Sequence, residues 1–189
     1  MAASGRNQLR LIAGEWRSRK LPFADVEGLR PTPDRVRETL FNWLAPLIEG
    51  ARCLDLFAGS GALGLEALSR GAAEVVMLDQ SDKVIKQLKE NLQLLKCNRA
   101  KLLQQDALVY LQQTPDSPFD VVFLDPPYRK NLLVPCCELL VKNNWVTGGS
   151  RVYLEIESEA ELPALPESWQ LNRSKKAGQV AYHLAIVGA

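Results

Sequence analysis

The chain has 189 residues, 47% of them hydrophobic and 24% charged, with a formal net charge of +1. That length suits one well-buried domain, and the composition excludes disordered and fibrous classes. No apolar run approaches the roughly 18 residues that span a bilayer, and the polar, basic start is no secretory signal, so a cytoplasmic protein is expected.

The first 30 residues form a basic extension ahead of a single domain over 31–189. Within residues 1–20, Arg6, Arg10, Arg17, Arg19 and Lys20 face only Glu15, and Arg30, Arg35 and Arg37 follow shortly after. On a nearly neutral protein this asymmetry predicts a local anion-binding face. Residues 9–16 read as an edge strand or hairpin arm. Thr32 is placed to cap a helix with Pro33 at its first position, and Val36, Leu40, Phe41, Leu44 and Leu47 give that helix one apolar face.

From residue 51 onward, apolar runs alternate with amphipathic stretches. Strands are expected over 52–57, 75–79, 101–105, 119–125 and 151–157. Helices are expected over 62–70, ending on Gly71, after Ser81, over 107–113 and over 132–142. The alternation predicts a parallel sheet covered on both faces. Residues 169–174 and 179–187 flank Lys175-Lys176-Ala177-Gly178, which reads as a hairpin turn, so the sheet should finish in an antiparallel pair.

Cys53, Cys97, Cys136 and Cys137 form no C-x-x-C pair and read as reduced packing residues. The one histidine, His183, alternates with apolar neighbours and reads as a strand residue. No metal site is expected from these residues.

The strongest local signal is Asp55-Leu56-Phe57-Ala58-Gly59-Ser60-Gly61-Ala62-Leu63-Gly64, which joins an expected strand to an expected helix. Glycines there permit a tight turn and a close ligand approach to the free N–H groups of the helix. Gly59, Gly61 and Gly64 fit G-x-G-x-x-G, and Asp79 follows about 20 residues later, as a ribose-binding acid does in dinucleotide enzymes. The pattern alone does not separate a dinucleotide from other adenosine cofactors. Asp55, Asp79, Asp106 and Asp125 each fall at or near the end of successive expected strands. Those ends form the ligand crevice of an open α/β sheet. Four acids suit a cationic sulfonium ligand, S-adenosylmethionine, better than a pyrophosphate, although any one of them could merely cap a helix.

Asp125-Pro126-Pro127-Tyr128 carries the most specific chemistry. Two prolines lack N–H donors and hold the chain extended, leaving carbonyls available to a ligand. A base amino group is a poor nucleophile because its lone pair is delocalised into the ring. The Asp125 carboxylate and the Pro126 carbonyl could accept its two N–H bonds and orient the lone pair. Tyr128 offers a stacking surface for the base.

The glycine-loop segment resembles the cofactor motif of class I methyltransferases. The Asp125-Pro126-Pro127-Tyr128 segment resembles the [DN]-P-P-[YFW] motif of amino-group methyltransferases. More narrowly, the chain resembles the RsmD family over nearly its whole length. The similarity includes Leu11-Ile12-Ala13-Gly14-Glu15-Trp16-Arg17-Ser18-Arg19-Lys20-Leu21, Arg30-Pro31-Thr32, Arg35-Val36-Arg37-Glu38-Thr39-Leu40-Phe41 and Gly178-Gln179-Val180-Ala181-Tyr182.

The resemblance implies a Rossmann-like α/β fold, with a seven-stranded, mostly parallel sheet ending in an antiparallel hairpin. It implies methylation of a guanine N2 in small-subunit (16S) ribosomal RNA. The expected partner is that RNA or an assembling 30S particle, and the enzyme is expected to be a monomer. It further implies that Asp55, Phe57, Gly59, Ser60 and Gly61 line the cofactor, that Asp79 takes the ribose hydroxyls, and that Asp106 takes the adenine amino group. Asp79 departs mildly from the family's frequent Glu. RNA contacts are expected from Arg10, Arg17, Arg19, Lys20, Arg30, Arg35 and Arg37. An adenine-N6 methyltransferase shares the proline-loop chemistry. A nicotinamide-dependent oxidoreductase shares the glycine fingerprint. A non-catalytic RNA-binding module explains the basic start but gives the four acids no role.

Overall fold

A computed structural model describes residues 7–189, so Arg6 lies outside the described residues. In chain order the elements are β1 (Gln8–Arg10), β2 (Lys20–Pro22), α1 (Asp34–Ile48), β3 (Arg52–Asp55), α2 (Ala62–Ser69), β4 (Glu74–Asp79) and α3 (Asp82–Leu94). There follow β5 (Ala100–Gln104), α4 (Ala107–Leu111), β6 (Phe119–Leu124), α5 (Leu133–Lys142), β7 (Val146–Glu157), β8 (Trp169–Ala177) and β9 (Val180–Val187). Seven strands form one sheet in the order β5-β4-β3-β6-β7-β9-β8, and β1 and β2 form a separate antiparallel pair. The expected seven-stranded, mostly parallel sheet is present. Two compact units follow one another along the chain and divide after Gln104.

In the first unit, β3 pairs parallel with β4, and β4 with β5. Cys53, Leu54, Val75, Val76, Met77 and Leu78 are all buried, so β3 and β4 are near-continuous apolar runs with no solvent face. That is what a parallel strand covered on both sides requires. Every residue of α2 is buried, including Glu66 and Ser69. Gly71 closes this helix at φ +99°, a left-handed position that glycine adopts without steric cost. On α3, Ser81 caps by accepting from the Val84 N–H, and Val84, Leu88 and Leu92 form the buried stripe.

The N-terminal hairpin is shorter than expected but packs well. Leu9, Leu11, Trp16 and Leu21 are buried, and each such side chain contributes about 1.5–3 kcal/mol of apolar burial. Gly14, at φ +83°, lies so close to α2 that a Cβ there would sit 1.8 Å from the Ser69 carbonyl oxygen.

Helix α1 corrects two expectations. Pro33 is the N-cap, with extended ψ of 148°, and the helix begins at Asp34. Thr32 lies one residue ahead of the cap position and no side chain caps the helix; the Thr32 carbonyl instead accepts from the Arg37 side chain at 3.1 Å. Leu47 is exposed and Ile48 takes the buried place at the end of the apolar stripe.

In the second unit, β6 runs parallel to β7, while β9 runs antiparallel to both β7 and β8. The hairpin turn is Gly178-Gln179, between the paired residues Ala177 and Val180, with Gly178 at φ +58°. Lys175, Lys176 and Ala177, expected in the turn, extend β8 instead. Their partners Tyr182, Ala181 and Val180 on β9 are apolar ladder positions that favour three more rungs over a wider loop. Trp145 is buried against Phe119 and donates its indole N–H to the Leu111 carbonyl at 3.0 Å. Cys53, Cys136 and Cys137 are buried, and none of the four cysteines is in a disulfide. Burial pushes the Cys136 and Cys137 thiols up to about 12, which leaves them unreactive.

Candidate active site

The glycine loop leaves β3 at Asp55 and enters α2 through Gly61, the helix N-cap. Gly59 and Gly61 adopt φ of +53° and +82°. A Cβ on Gly61 would meet Leu88 at 2.6 Å and Leu65 at 2.8 Å, and one on Gly64 would meet Met77 Sδ at 2.4 Å. So the glycines are needed for backbone geometry and for packing of the helix against the sheet. Phe57 is half-buried, and Ser60 is buried with its hydroxyl accepting from the Ala62 N–H at 3.3 Å.

Asp55 is the most unusual group in this loop. It is 1% exposed, its Oδ2 accepts from the Gly64 N–H at 3.2 Å, and its buried Oδ1 has no partner. Burial pushes its carboxyl up to about 7, against the opposing pull of backbone N–H groups, and the charge of Asp79 adds to the rise. A buried acid with an orphaned oxygen is costly alone and is relieved by a cationic ligand group. Asp79 ends β4 with both oxygens engaged: Oδ2 accepts from the Gly59 N–H at 3.1 Å and Oδ1 from the Ser81 N–H at 2.9 Å. It therefore ties the glycine loop to the start of α3, and a carboxylate retains lone pairs for a further donor.

In the second unit, Asp106 is the N-cap of α4 and accepts from the Val109 N–H at 2.9 Å. Asp125 follows the last residue of β6 and is half-buried; Pro126 is buried, while Pro127 and Tyr128 are exposed. Arg129 and Asn131 sit at φ of +62° and +50°, so the chain reverses sharply after Tyr128. Tyr128 is 42% exposed. Its phenol is pushed up to about 12 by burial and by the charges of Glu155, Asp125 and Glu157, so the ring stays neutral.

This loop borders a cavity of about 320 Å³ whose walls include Pro126, Pro127, Tyr128, Leu133, Glu155 and Glu157. Glu155 is a wall residue that belongs to neither sequence motif. It is 5% exposed on β7, and its Oε2 accepts from the Tyr153 hydroxyl at 2.8 Å. Burial raises its carboxyl pKa above the usual range, and the Tyr153 hydrogen bond opposes that rise. A signal existed: Val152-Tyr153-Leu154-Glu155-Ile156 places one acid in an apolar strand. Glu66 carried the same signal in α2, where Gly64-Leu65-Glu66-Ala67-Leu68 is otherwise apolar.

Among the described cations, Arg10, Arg17, Arg19, Lys20, Arg30 and Arg35 are exposed. Arg37 is not, which corrects its expected role at the RNA. It is 1% exposed and binds Asp34 at 2.6 Å, Glu66 at 3.3 Å and the carbonyls of Thr32 and Arg10. Burial lowers its pKa from the ordinary value, and the carboxylates of Glu66 and Asp34 oppose that. A phosphate could reach it only by breaking this network. Among the described residues no cluster suited to a metal ion occurs, and no helix is long and apolar enough to cross a membrane.

Residues 9–186 match the family model described as Conserved hypothetical protein 95. The chain is 52% identical over 181 residues to Ribosomal RNA small subunit methyltransferase D of Escherichia coli, covering 96% of this chain and 91% of that one. The relative of the same name from Haemophilus influenzae is 50% identical, covering 96% and 95%. The chain belongs to the RsmD family. The solved structure of "Putative methyltransferase yhhF from Escherichia coli" superposes with a TM-score of 0.90 at 48% identity, covering 96% of this chain and 99% of that one. RsmD membership makes this chain a methyltransferase of the class I fold, and its matched span includes the glycine loop, the proline loop and all but the first strand residue of the N-terminal hairpin.

Proposed function

We propose that this chain transfers a methyl group from S-adenosylmethionine to the exocyclic N2 of a guanine in small-subunit ribosomal RNA, as naked RNA or within an assembling 30S particle. The observation that carries the reading is the Asp125-Pro126-Pro127-Tyr128 loop at the end of β6, bordering a ligand-sized cavity, in a chain of this family. S-adenosylmethionine supplies an electrophilic methyl group on a sulfonium centre. Asp55, Phe57, Gly59, Ser60 and Gly61 would hold its amino-acid end, with the orphaned Asp55 Oδ1 as partner for the ammonium group. Asp79 would take the ribose hydroxyls and Asp106 the adenine amino group.

The Asp125 carboxylate and the Pro126 carbonyl accept the two amino hydrogens of the base, which localises the nitrogen lone pair and fixes its direction. Pro126 and Pro127 contribute by lacking N–H groups, so no local hydrogen bond competes for the carbonyl's alignment. Tyr128 stacks on the base as a neutral ring, a contact worth about 1–3 kcal/mol. The exposed cations Arg10, Arg17, Arg19, Lys20, Arg30 and Arg35 engage RNA phosphates. RNA of this kind is made and assembled in the cytoplasm, which sets the expected location.

Asp125→Ala tests the reading. Methyl transfer to small-subunit particles is expected to be lost, while the affinity for S-adenosylhomocysteine stays within about twofold, since Asp125 faces the base. Nucleoside digestion of the wild-type product is expected to give N2-methylguanosine. N6-methyladenosine as the sole product would assign the chemistry to adenine instead.

A further inference from the structure

The proline loop presents acceptors to an amino group and so serves guanine and adenine alike; something else must choose the base. The cavity beside the loop has the chemistry to do so. Its walls carry three carboxylates, Glu155, Glu157 and Glu161, and one cation, Arg129, whose side chain is 89% exposed and lies 3.8 Å from Glu157. Carboxylates are acceptors only, so this hollow suits an uncharged, donor-rich ligand and repels a phosphate.

Of the three acids, Glu155 alone is buried. The Tyr153 hydroxyl donates to its Oε2 at 2.8 Å, which fixes the carboxyl group in place and opposes the rise in pKa that burial imposes. Glu155 itself forms part of the cavity wall, together with Pro126 and Tyr128 of the proline loop. A buried carboxylate is costly to desolvate and is sustained by a donor that arrives with the ligand.

The Watson–Crick edges of the two purines differ in this respect. Guanine carries an N1–H donor directly beside its 2-amino group. Adenine carries a bare N1 lone pair beside its 6-amino group. With both amino hydrogens accepted by Asp125 and Pro126, guanine still offers N1–H to an acceptor, whereas adenine would point a lone pair at one. We propose that Glu155 accepts the N1–H of the target guanine and thereby selects guanine over adenine. This rests on the guanine-N2 reading above and names the residue that enforces it. Glu155 acts here as a specificity-determining residue, and Tyr153 as the group that positions it.

2-Aminopurine tests this directly, because it keeps the 2-amino group but has a lone pair at N1. Small subunits are reconstituted around RNA carrying guanine or 2-aminopurine at the position where the wild-type protein deposits its methyl group. Wild type should prefer guanine by about 10- to 100-fold in kcat/KM, the range of one hydrogen bond to a charged group. Glu155→Ala should bring the ratio near one, chiefly through loss on guanine. Glu155→Gln, whose amide oxygen still accepts, should retain a preference. S-adenosylhomocysteine binding reports whether each variant is folded.

Equal use of both bases by wild type would overturn the assignment without any variant. So would a Glu155→Ala protein that binds S-adenosylhomocysteine yet keeps the full preference or slows equally on both bases. Absence of N2-methylguanosine from the wild-type reaction would sink the functional reading itself. N2-methylguanosine made without discrimination at N1 would sink only the role of Glu155.

Discussion

Glu66 is fully buried in α2, and its two oxygens hold four donors: the Ile12 N–H at 3.0 Å, the Ala13 N–H at 3.1 Å, Arg37 at 3.3 Å and Arg70 at 2.8 Å. Removing one partner from a buried ionic network leaves uncompensated charge, which costs more than the network itself contributes. Glu66→Gln is therefore expected to lower the unfolding free energy by about 3–5 kcal/mol, read from the urea midpoint at constant slope. Adding Arg37→Met should recover part of that loss, because the stranded guanidinium goes with it. A Glu66→Gln protein within about 1 kcal/mol of wild type would show that the network is not a structural anchor. Charge arithmetic could not foresee this. In sequence Arg37 is one more cation after a basic start, and only its tertiary partners separate it from Arg35, two positions earlier and exposed.

At the scale of elements, α2 joins two tasks. Its first turn follows the glycine loop, and its buried second half holds the backbone of residues 12–16 through Glu66 and through its last residue, Ser69, whose Oγ accepts from the Trp16 N–H at 3.1 Å. The N-terminal extension is thus built onto the helix that starts at the proposed cofactor loop. The alternation of strands and helices was legible because each element keeps its own period and its own stop signals, as Ser81 and Gly71 show. The hairpin turn was misread because Lys175 and Lys176 look like turn residues, while their strand assignment depends on partners across the ladder.

With Arg37 withdrawn, the extension's exposed cations without a carboxylate partner among the described residues include Arg17, Arg19 and Lys20. Each phosphate contact on single-stranded RNA contributes about 0.7 to the slope of log affinity against log salt. Changing all three to Gln should make that slope shallower by about 2, with thermal stability unchanged. An unaltered slope would place the RNA on another face.

The whole molecule carries almost no net charge, so its pH behaviour is set by a few perturbed groups rather than by general repulsion. Asp55 is the clearest. Its carboxyl rises from an ordinary 3.8 to about 7 in the fold, mainly through burial. The native state thus holds a proton that the unfolded chain has already released, and stability falls as pH rises through that window. Below about 4 both states are protonated and Asp55 has no effect; above about 7 its full cost is present, up to about 4 kcal/mol. Asp34 works in the opposite direction, its pKa lowered by Arg10 and Arg37 against the cost of burial, so raw stability curves mix the two. The difference between wild type and Asp55→Asn isolates the first. Without cofactor, the variant should gain on wild type from pH 4 to pH 7 and then hold a constant advantage. Saturating S-adenosylhomocysteine should reverse the order at pH 8, because its ammonium group supplies the partner that Asp55 Oδ1 lacks and the variant cannot use it. Urea titrations at pH 5, 6, 7 and 8, with and without ligand, read both effects. Parallel curves for the two proteins would mean that Asp55 is ordinarily ionised in the fold and that the cation partner assigned to it is wrong.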